Sequence, residues 1–141
     1  MSSSNRRRFI AQTAAAGAAP LIIGTKSSAQ VKGANDRLRI AVAGLNGRGG
    51  SHIGGFGGIK GVEIAYVADP DANVRGRRLK EVQGKGHKNC KAVADIREAL
   101  EDPEVDAISV AAPNHWHSLM TIWGAQAGKH VYVEKPMSHD V

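Results

Sequence analysis

Disulfides are excluded within this chain, because its 141 residues include a single cysteine, Cys90. We expect Cys90 to be a small buried apolar side chain and not a nucleophile. Aromatic residues are few, at 4%, and no internal repeat is present. The length suits one domain with its own core and is too short for two ordinary domains. Glycine, in contrast, is abundant, with 17 residues.

Acidic residues are absent from residues 1–29, which contain Arg6, Arg7, Arg8 and Lys26. These four side chains supply most of the net charge of +6. Without them, fifteen basic residues stand against thirteen acidic ones, and the remainder carries only about +2. A nearly neutral body of this size gives no reason to expect a nucleic acid as a partner.

This N-terminal segment is typical of an export signal. Its basic stretch precedes an apolar run from Phe9 to Ile23, which is too short to span a bilayer as a stable helix, and small residues follow. The run Arg-Arg-Arg-Phe-Ile resembles the twin-arginine signal; an ordinary secretory signal or a basic tail is the alternative. We therefore expect the twin-arginine export machinery to be a partner and the protein to be periplasmic. Because that route carries folded proteins, often with a cofactor bound, the signal also predicts a cofactor protein.

After a polar linker at residues 30–36, apolar runs alternate with helix-like segments. Strands are predicted at Leu38–Ala43, Val62–Ala68, Ala92–Ala94, Asp106–Ala112 and His130–Val133. Helices are predicted at Asp71–Gln83, from Asp95 to a stop at Pro103, and at His117–Ala127 before Gly128. This alternation predicts an α/β fold for residues 37–141: a Rossmann-type, doubly wound parallel sheet of about five strands.

The first strand leads into the glycine-rich loop "VAGLNGRGG". A dinucleotide fold needs a glycine for the tight turn, a small residue beside the pyrophosphate, and a glycine where helix packs on strand. Gly44 and Gly49 take the first and third positions. Asn46 takes the second, where its tolerance of positive φ and the freedom of Gly47 would replace a glycine. We expect the next helix to be short, because each of its glycines costs about 1 kcal/mol against alanine.

Asp69 ends the second strand, 20 residues beyond Gly49. A carboxylate there can accept both ribose hydroxyls of an adenosine, and it would repel a 2'-phosphate. This position favours NAD as the cofactor over NADP, unless Arg48 or Arg75 compensates. The alternative is a cluster of turn glycines with a solvated aspartate. The predicted cofactor-binding residues of this part of the chain are Gly44, Asn46, Gly47, Arg48, Gly49 and Asp69.

The fourth strand ends in "AAPNHWHS". In a doubly wound sheet the strand order reverses between strands one and four, and ligands occupy the crevice at their carboxyl ends. We therefore expect Pro113, Asn114 and His115 to lie over a bound dinucleotide. His115 and His117 could suggest a metal pair, but residues two apart diverge on a helix, so no metal is expected. Trp116 could stack on substrate, although we expect it to pack in the core.

The segments "GLNGRGG", "VADPD", "AAPNHWHS" and "YVEKPMS", in this order, resemble the N-terminal half of the glucose-fructose oxidoreductase, inositol dehydrogenase and MocA family. The similarity covers Arg37–Val141. It implies a nicotinamide-dependent oxidoreductase that acts on sugars, cyclitols or similar polyols. It also implies that Lys135 is the catalytic residue near the nicotinamide, and that Asn114 and His115 lie along the cofactor. The resemblance also implies that Glu134 and Lys135 are cofactor-binding residues.

The fifth strand would bring Lys135 to the crevice shared with strand four, within reach of a substrate oxygen. Partial burial and the positive nicotinamide would lower the pKa of this lysine enough for proton transfer near neutral pH. We expect Glu134 to orient the ammonium or to anchor the turn. The alternative is a surface lysine at a strand end.

A sixth strand and the substrate domain of the family are expected beyond residue 141, so the chain is expected to be the N-terminal portion of a longer protein that forms a homo-oligomer. Three functions stay open. The first is an oxidoreductase acting on a sugar or polyol CH–OH group. The second is a NAD-dependent glycosidase of the same family, and the third is a non-catalytic dinucleotide-binding module.

Overall fold

The computed structural model describes residues 37–138. The predicted export signal and linker lie outside the described residues. Within them the chain forms nine elements in the order β1 (Leu38–Ala43), α1 (Arg48–Gly57), β2 (Val62–Ala68), α2 (Ala72–Gly84), β3 (Lys91–Val93), α3 (Ile96–Leu100), β4 (Ala107–Val110), α4 (Asn114–Gln126) and β5 (His130–Val133).

The five strands form one sheet in the order β3-β2-β1-β4-β5, and every neighbouring pair is parallel. The chain moves from β1 outward to β3 and then returns to place β4 on the other side of β1. The strand order therefore reverses between β1 and β4, where a doubly wound sheet opens a crevice at its carboxyl edge. The predicted Rossmann-type α/β fold is confirmed.

Helices cover both faces of the sheet, as the alternation of side chains along β1 requires. Ile40 and Val42 pack with buried residues of α1 and α2 on one face. Ala41 and Ala43 pack with α3 and α4 on the other. Both faces of the central strands are thus buried, which accounts for their continuous apolar runs.

The helix ends follow the local sequence. The Asp71 side chain accepts hydrogen bonds from two backbone N–H groups at the start of α2. Asp95 and Glu98 form the predicted capping box of α3. Gly128 has φ +70°, the left-handed conformation expected two residues after the end of α4.

Several predicted boundaries are wrong. Both ends of β3 lie one residue before the predicted ends. β4 is shorter than predicted at both ends. α4 begins at Asn114 and not at His117, with Pro113 as its N-cap residue in an extended conformation. Asn114 and His115 therefore belong to the first helical turn and not to a loop. In the described part of the chain, no helix is both long and apolar enough to cross a membrane.

Candidate functional site

A cleft of about 610 Å³ opens at the carboxyl edge of the sheet, beside the point where the strand order reverses. Its walls come from the loop after β1, the end of β2, the start of α3, and α4 with the loop before it. Six of the predicted site residues line this cleft: Gly44, Asn46, Gly47, Arg48, Asp69 and Pro113. The other five do not: Gly49, Asn114, His115, Glu134 and Lys135.

Two glycines of the loop after β1 are required by close backbone contacts. Gly44 has φ +80°, and a Cβ there would overlap the backbone of Ala112. A Cβ on Gly49 would fall on the carbonyl oxygen of Gly44. The assignment of these glycines to the tight turn and to helix packing is thereby explained. The expectation of positive φ at Asn46 or Gly47 is wrong, because neither residue adopts it.

The N-terminus of α1 faces this loop without a side-chain cap. Gly47 is the N-cap and forms no side-chain hydrogen bond with the helix. The first N–H groups of a ten-residue helix, with their positive dipole end, therefore border the cleft. A pyrophosphate fits this arrangement, because it supplies the acceptors and the negative charge that the helix end requires.

Asp69 lines the cleft but is only 9% exposed. Its two carboxylate oxygens accept hydrogen bonds from the backbone N–H of Leu45 at 2.8 Å and of Asp71 at 3.0 Å. The carboxylate thus fixes the glycine loop to the end of β2 and keeps further lone pairs for a ligand. Arg75 donates to the Asp69 carbonyl oxygen at 2.6 Å and to that of Pro70 at 3.3 Å, so a cation stands beside this carboxylate.

Two tryptophans and a methionine of α4 form part of the lining of the cleft. Trp116, Met120 and Trp123 are four and three residues apart, on one face of α4, and all three line the cleft. The Arg97 guanidinium lies 4.9 Å from the centre of the Trp123 ring. Trp116 is 40% exposed, so the expected core-packing role is wrong. The helical spacing of these residues could have revealed this face from the sequence.

The two histidines near the start of α4 have different environments. His115 is exposed, whereas His117 is only 1% exposed, and both of its ring nitrogens lie against backbone carbonyl oxygens. The ring of His117 therefore has no nitrogen left to coordinate a metal. Residues 37–138 contain no cluster of histidine, cysteine or acidic side chains arranged to hold a metal ion.

Glu134 anchors the turn after β5 to α1. Its Oε1 accepts from Arg48 Nε at 2.7 Å and lies 2.9 Å from His52 Nε2. The other ring nitrogen of the buried His52 lies 2.7 Å from the Ser109 hydroxyl oxygen. The hydrogen bond from Arg48, followed by that from His52, lowers the pKa of Glu134 to about 2, and the same pair raises the pKa of Arg48. His52 and Ser109 belong to no recognisable motif, so the sequence did not indicate that they are part of the site.

Lys135 follows directly, at the carboxyl edge of the sheet beyond β5. Its side chain is exposed in the described residues, so the expected partial burial is not found there. Glu134 N donates to the Val110 carbonyl oxygen at 2.9 Å, and this bond extends the pairing of β5 with β4 up to the turn. The turn therefore lies at the same edge of the sheet as the glycine loop.

The parallel sheet, the glycine loop, the uncapped helix and the acidic end of β2 define a dinucleotide-binding α/β domain of the Rossmann class. Residues 38–141 match the family described as "Oxidoreductase family, NAD-binding Rossmann fold". The chain belongs to this family, named Gfo/Idh/MocA, and NAD is the cofactor class that the family binds.

Similar proteins include the inositol 2-dehydrogenase of Rhodococcus jostii, 34% identical over 112 residues that make up 79% of this chain and 29% of the relative. A glycosyl hydrolase family 109 protein of Saccharopolyspora erythraea is 33% identical over 107 residues, which are 73% of this chain and 23% of that protein. The chain therefore spans less than a third of the length of these two relatives.

Solved structures share the fold. A probable dehydrogenase from Thermotoga maritima superposes with a TM-score of 0.62 at 35% identity, covering 73% of this chain and 29% of that chain. GenD2 from gentamicin A biosynthesis, in complex with NAD, superposes with a TM-score of 0.64 at 28% identity, covering 73% of this chain and 28% of that chain.

Proposed function

We propose that this chain is the cofactor-binding part of a NAD-dependent oxidoreductase that acts on a CH–OH group of a sugar, cyclitol or polyol. The observation that carries the proposal is the position of the Lys135 turn. Glu134 ties it to Arg48, the first residue of the helix that follows the glycine loop. A lysine beside a cofactor loop at the carboxyl edge of the sheet is well placed for proton transfer with a bound alcohol.

Bound NAD(H) supplies the acceptor or donor of a hydride, and the other roles belong to the chain. The N-terminus of α1 and the glycine loop hold the pyrophosphate, and Asp69 holds the adenosine ribose. Pro113, Asn114 and His115 lie on the side of the crevice formed by the loop after β4 and the first turn of α4. In alcohol oxidation, Lys135 would accept the hydroxyl proton while the carbinol carbon gives up a hydride.

The test of Lys135 is a Lys135→Ala variant of the complete encoded protein. Removing a positioned acid-base residue should lower kcat by roughly 10²–10⁴-fold. The affinity for NADH should change little, because Lys135 does not line the cleft. Lys80→Ala, at an exposed position of α2, is the matched control and should keep normal turnover. Normal turnover by Lys135→Ala would rule out the assigned role.

A second candidate is a NAD-dependent glycosidase, favoured by the relatives named glycosyl hydrolase family 109 proteins. The two activities differ in how much NADH accumulates during the reaction. An oxidoreductase produces one NADH for each alcohol oxidised, whereas a glycosidase that uses the redox step transiently releases sugar without net NADH. Measuring NADH and released sugar together separates them. Cofactor binding without either product on such substrates would favour a non-catalytic module.

We also propose export to the periplasm by the twin-arginine machinery, on the strength of Arg6 and Arg7 before Arg8, Phe9 and Ile10. Replacing both Arg6 and Arg7 by lysine should retain the charge and abolish export. Fractionation of cells that express the protein measures the change. Export that survives the double substitution would instead indicate an ordinary secretory signal.

A further inference from the structure

Three histidines are buried in the described residues, and they differ in what their ring nitrogens contact. In His87, Nδ1 accepts from the backbone N–H of Ile64 at 3.3 Å, and Nε2 donates to the carbonyl oxygen of Gly57 at 3.2 Å. One ring nitrogen of His87 thus faces a donor and the other an acceptor. The two ring nitrogens of His52 contact a hydroxyl and a carboxylate.

His117 contacts two acceptors and no donor. Its Nδ1 lies 2.6 Å from the carbonyl oxygen of Pro136, and its Nε2 lies 2.7 Å from that of Ala112. A carbonyl oxygen cannot donate, so the ring N–H of His117 donates to one of these two carbonyl oxygens, and the other ring nitrogen lies against the second. The ring thus spans the space between the Ala112 and Pro136 carbonyl groups.

The two carbonyl groups belong to different parts of the site. Ala112 lies on the wall of the cleft, two residues beyond β4. Pro136 follows Lys135 directly. The ring of His117 therefore joins the cleft wall to the far side of the lysine turn. Glu134 holds the near side of the same turn through Arg48 and His52.

Lys135 is thus the single residue between two anchored neighbours, one fixed to α1 and one to α4. A side chain on a turn held at both ends can be aimed reproducibly although it is itself exposed. We propose that His117 is the positioning residue that aims Lys135 at the crevice. The inference rests on the proposed function of Lys135, and His117 is not assigned any contact with substrate or cofactor.

A double-mutant cycle in the complete encoded protein tests this role, using His117→Ala, Lys135→Ala and the two together. His117→Ala alone should lower kcat by at least about 10-fold, because a shift of about 1 Å at a catalytic group can cost up to about 10² in rate. The dissociation constant of NADH should change by less than about 3-fold. In the Lys135→Ala background, the second substitution should change kcat by less than about 2-fold, since coupled residues are not additive.

His87→Ala is the matched control, because His87 is also buried and bridges backbone groups on the other face of the sheet. It should lower stability and leave kcat unchanged in both backgrounds. If His117→Ala does not fold, His117→Gln replaces it in the cycle, because its amide can donate to one of the two carbonyl groups. The inference is overturned if the effects of His117 and Lys135 on kcat multiply, or if the His117 variant keeps normal kcat.

The failure of this inference is distinguishable from failure of the proposed function. Turnover that survives Lys135→Ala overturns the role of Lys135 itself. Turnover that is lost in Lys135→Ala but kept in the His117 variant overturns the positioning role alone.

Discussion

Cys90 packs among the apolar residues between the sheet and the helices α1 and α2. Burial is the largest cause that raises the pKa of its thiol to about 12, and the charge of Glu63 adds to the shift. The thiolate, which is the reactive form, is therefore scarce at any ordinary pH. The expectation of a buried cysteine is confirmed.

This environment predicts very slow modification of Cys90 in the folded protein. A thiol reagent such as 5,5'-dithiobis(2-nitrobenzoate) at pH 8 should react at least about 10²-fold more slowly with the native chain than with the chain in denaturant, because burial suppresses both thiolate and access. The release of the coloured thiolate measures both rates. Comparable rates in the two states would contradict the buried, protonated thiol.

The environment of Glu134 predicts that the free energy of unfolding depends on pH. Its pKa is lowered in the folded state from 4.5 to about 2, chiefly by the hydrogen bond from Arg48. The ionised form is thus favoured by folding, so its stabilising contribution is present above pH 4.5 and is lost as the pH falls toward about 2. Glu134→Gln should reduce this acid-side loss of stability, measured by urea unfolding at several pH values.

The exposed Glu104 provides the matched control for this experiment. Glu104→Gln should leave the acid-side change of stability as it is in the unmodified chain. A Glu134→Gln variant with an unchanged pH profile would show that the contacts with Arg48 and His52 do not persist in solution.

At the scale of elements, α1 is the helix that sequence propensity describes least well. It contains five glycines in ten residues, yet it is a continuous helix. A Cβ on Gly49 would overlap the Gly44 carbonyl group, so packing requires this glycine, whereas a Cβ on Gly50 would meet only the movable end of the Arg78 side chain. Gly54 is exposed, and a Cβ there would have nothing within 4 Å, so packing does not require a glycine at this position. Tertiary contact therefore overrides propensity in the first turn.

Gly49→Ala and Gly54→Ala form a matched pair of predictions within this one helix. Gly49→Ala should destabilise the fold by about 1–3 kcal/mol through overpacking against Gly44. Gly54→Ala should stabilise it by about 0.5–1 kcal/mol, because alanine loses less backbone freedom in a helix. Thermal or urea unfolding measures both. Equal effects of the two substitutions would contradict the close approach of α1 to the glycine loop.

Local sequence was a good guide to the elements themselves and a poorer guide to their ends. The strands β1, β2 and β5 have the predicted bounds, because long apolar runs end there in turn residues. The start of α4 was missed because the local pattern of Asn114 and His115 resembles a loop. In the structure they form the first turn of α4, directly after the N-cap residue Pro113.

For the whole molecule, the fold could be predicted from the sequence because the alternation of strands and helices has few solutions. The glycine loop and Asp69 were predicted for the same reason, since their spacing along the chain is fixed by the first βαβ unit. The contacts that hold the Lys135 turn could not be predicted. They join Glu134 to His52, and Pro136 to His117, across elements that no local pattern relates.

The central claim is that the cleft at the carboxyl edge of the sheet binds NAD(H), and the chain contains its own probe of this claim. Trp116 and Trp123 are the only tryptophans in the sequence, and both line the cleft. NADH absorbs at the wavelengths where tryptophan emits, so binding should quench this emission. Titration of the chain with NADH should therefore give saturable quenching, which an excess of NAD reverses. Unchanged tryptophan emission up to millimolar NADH, corrected for absorbance, would contradict the account.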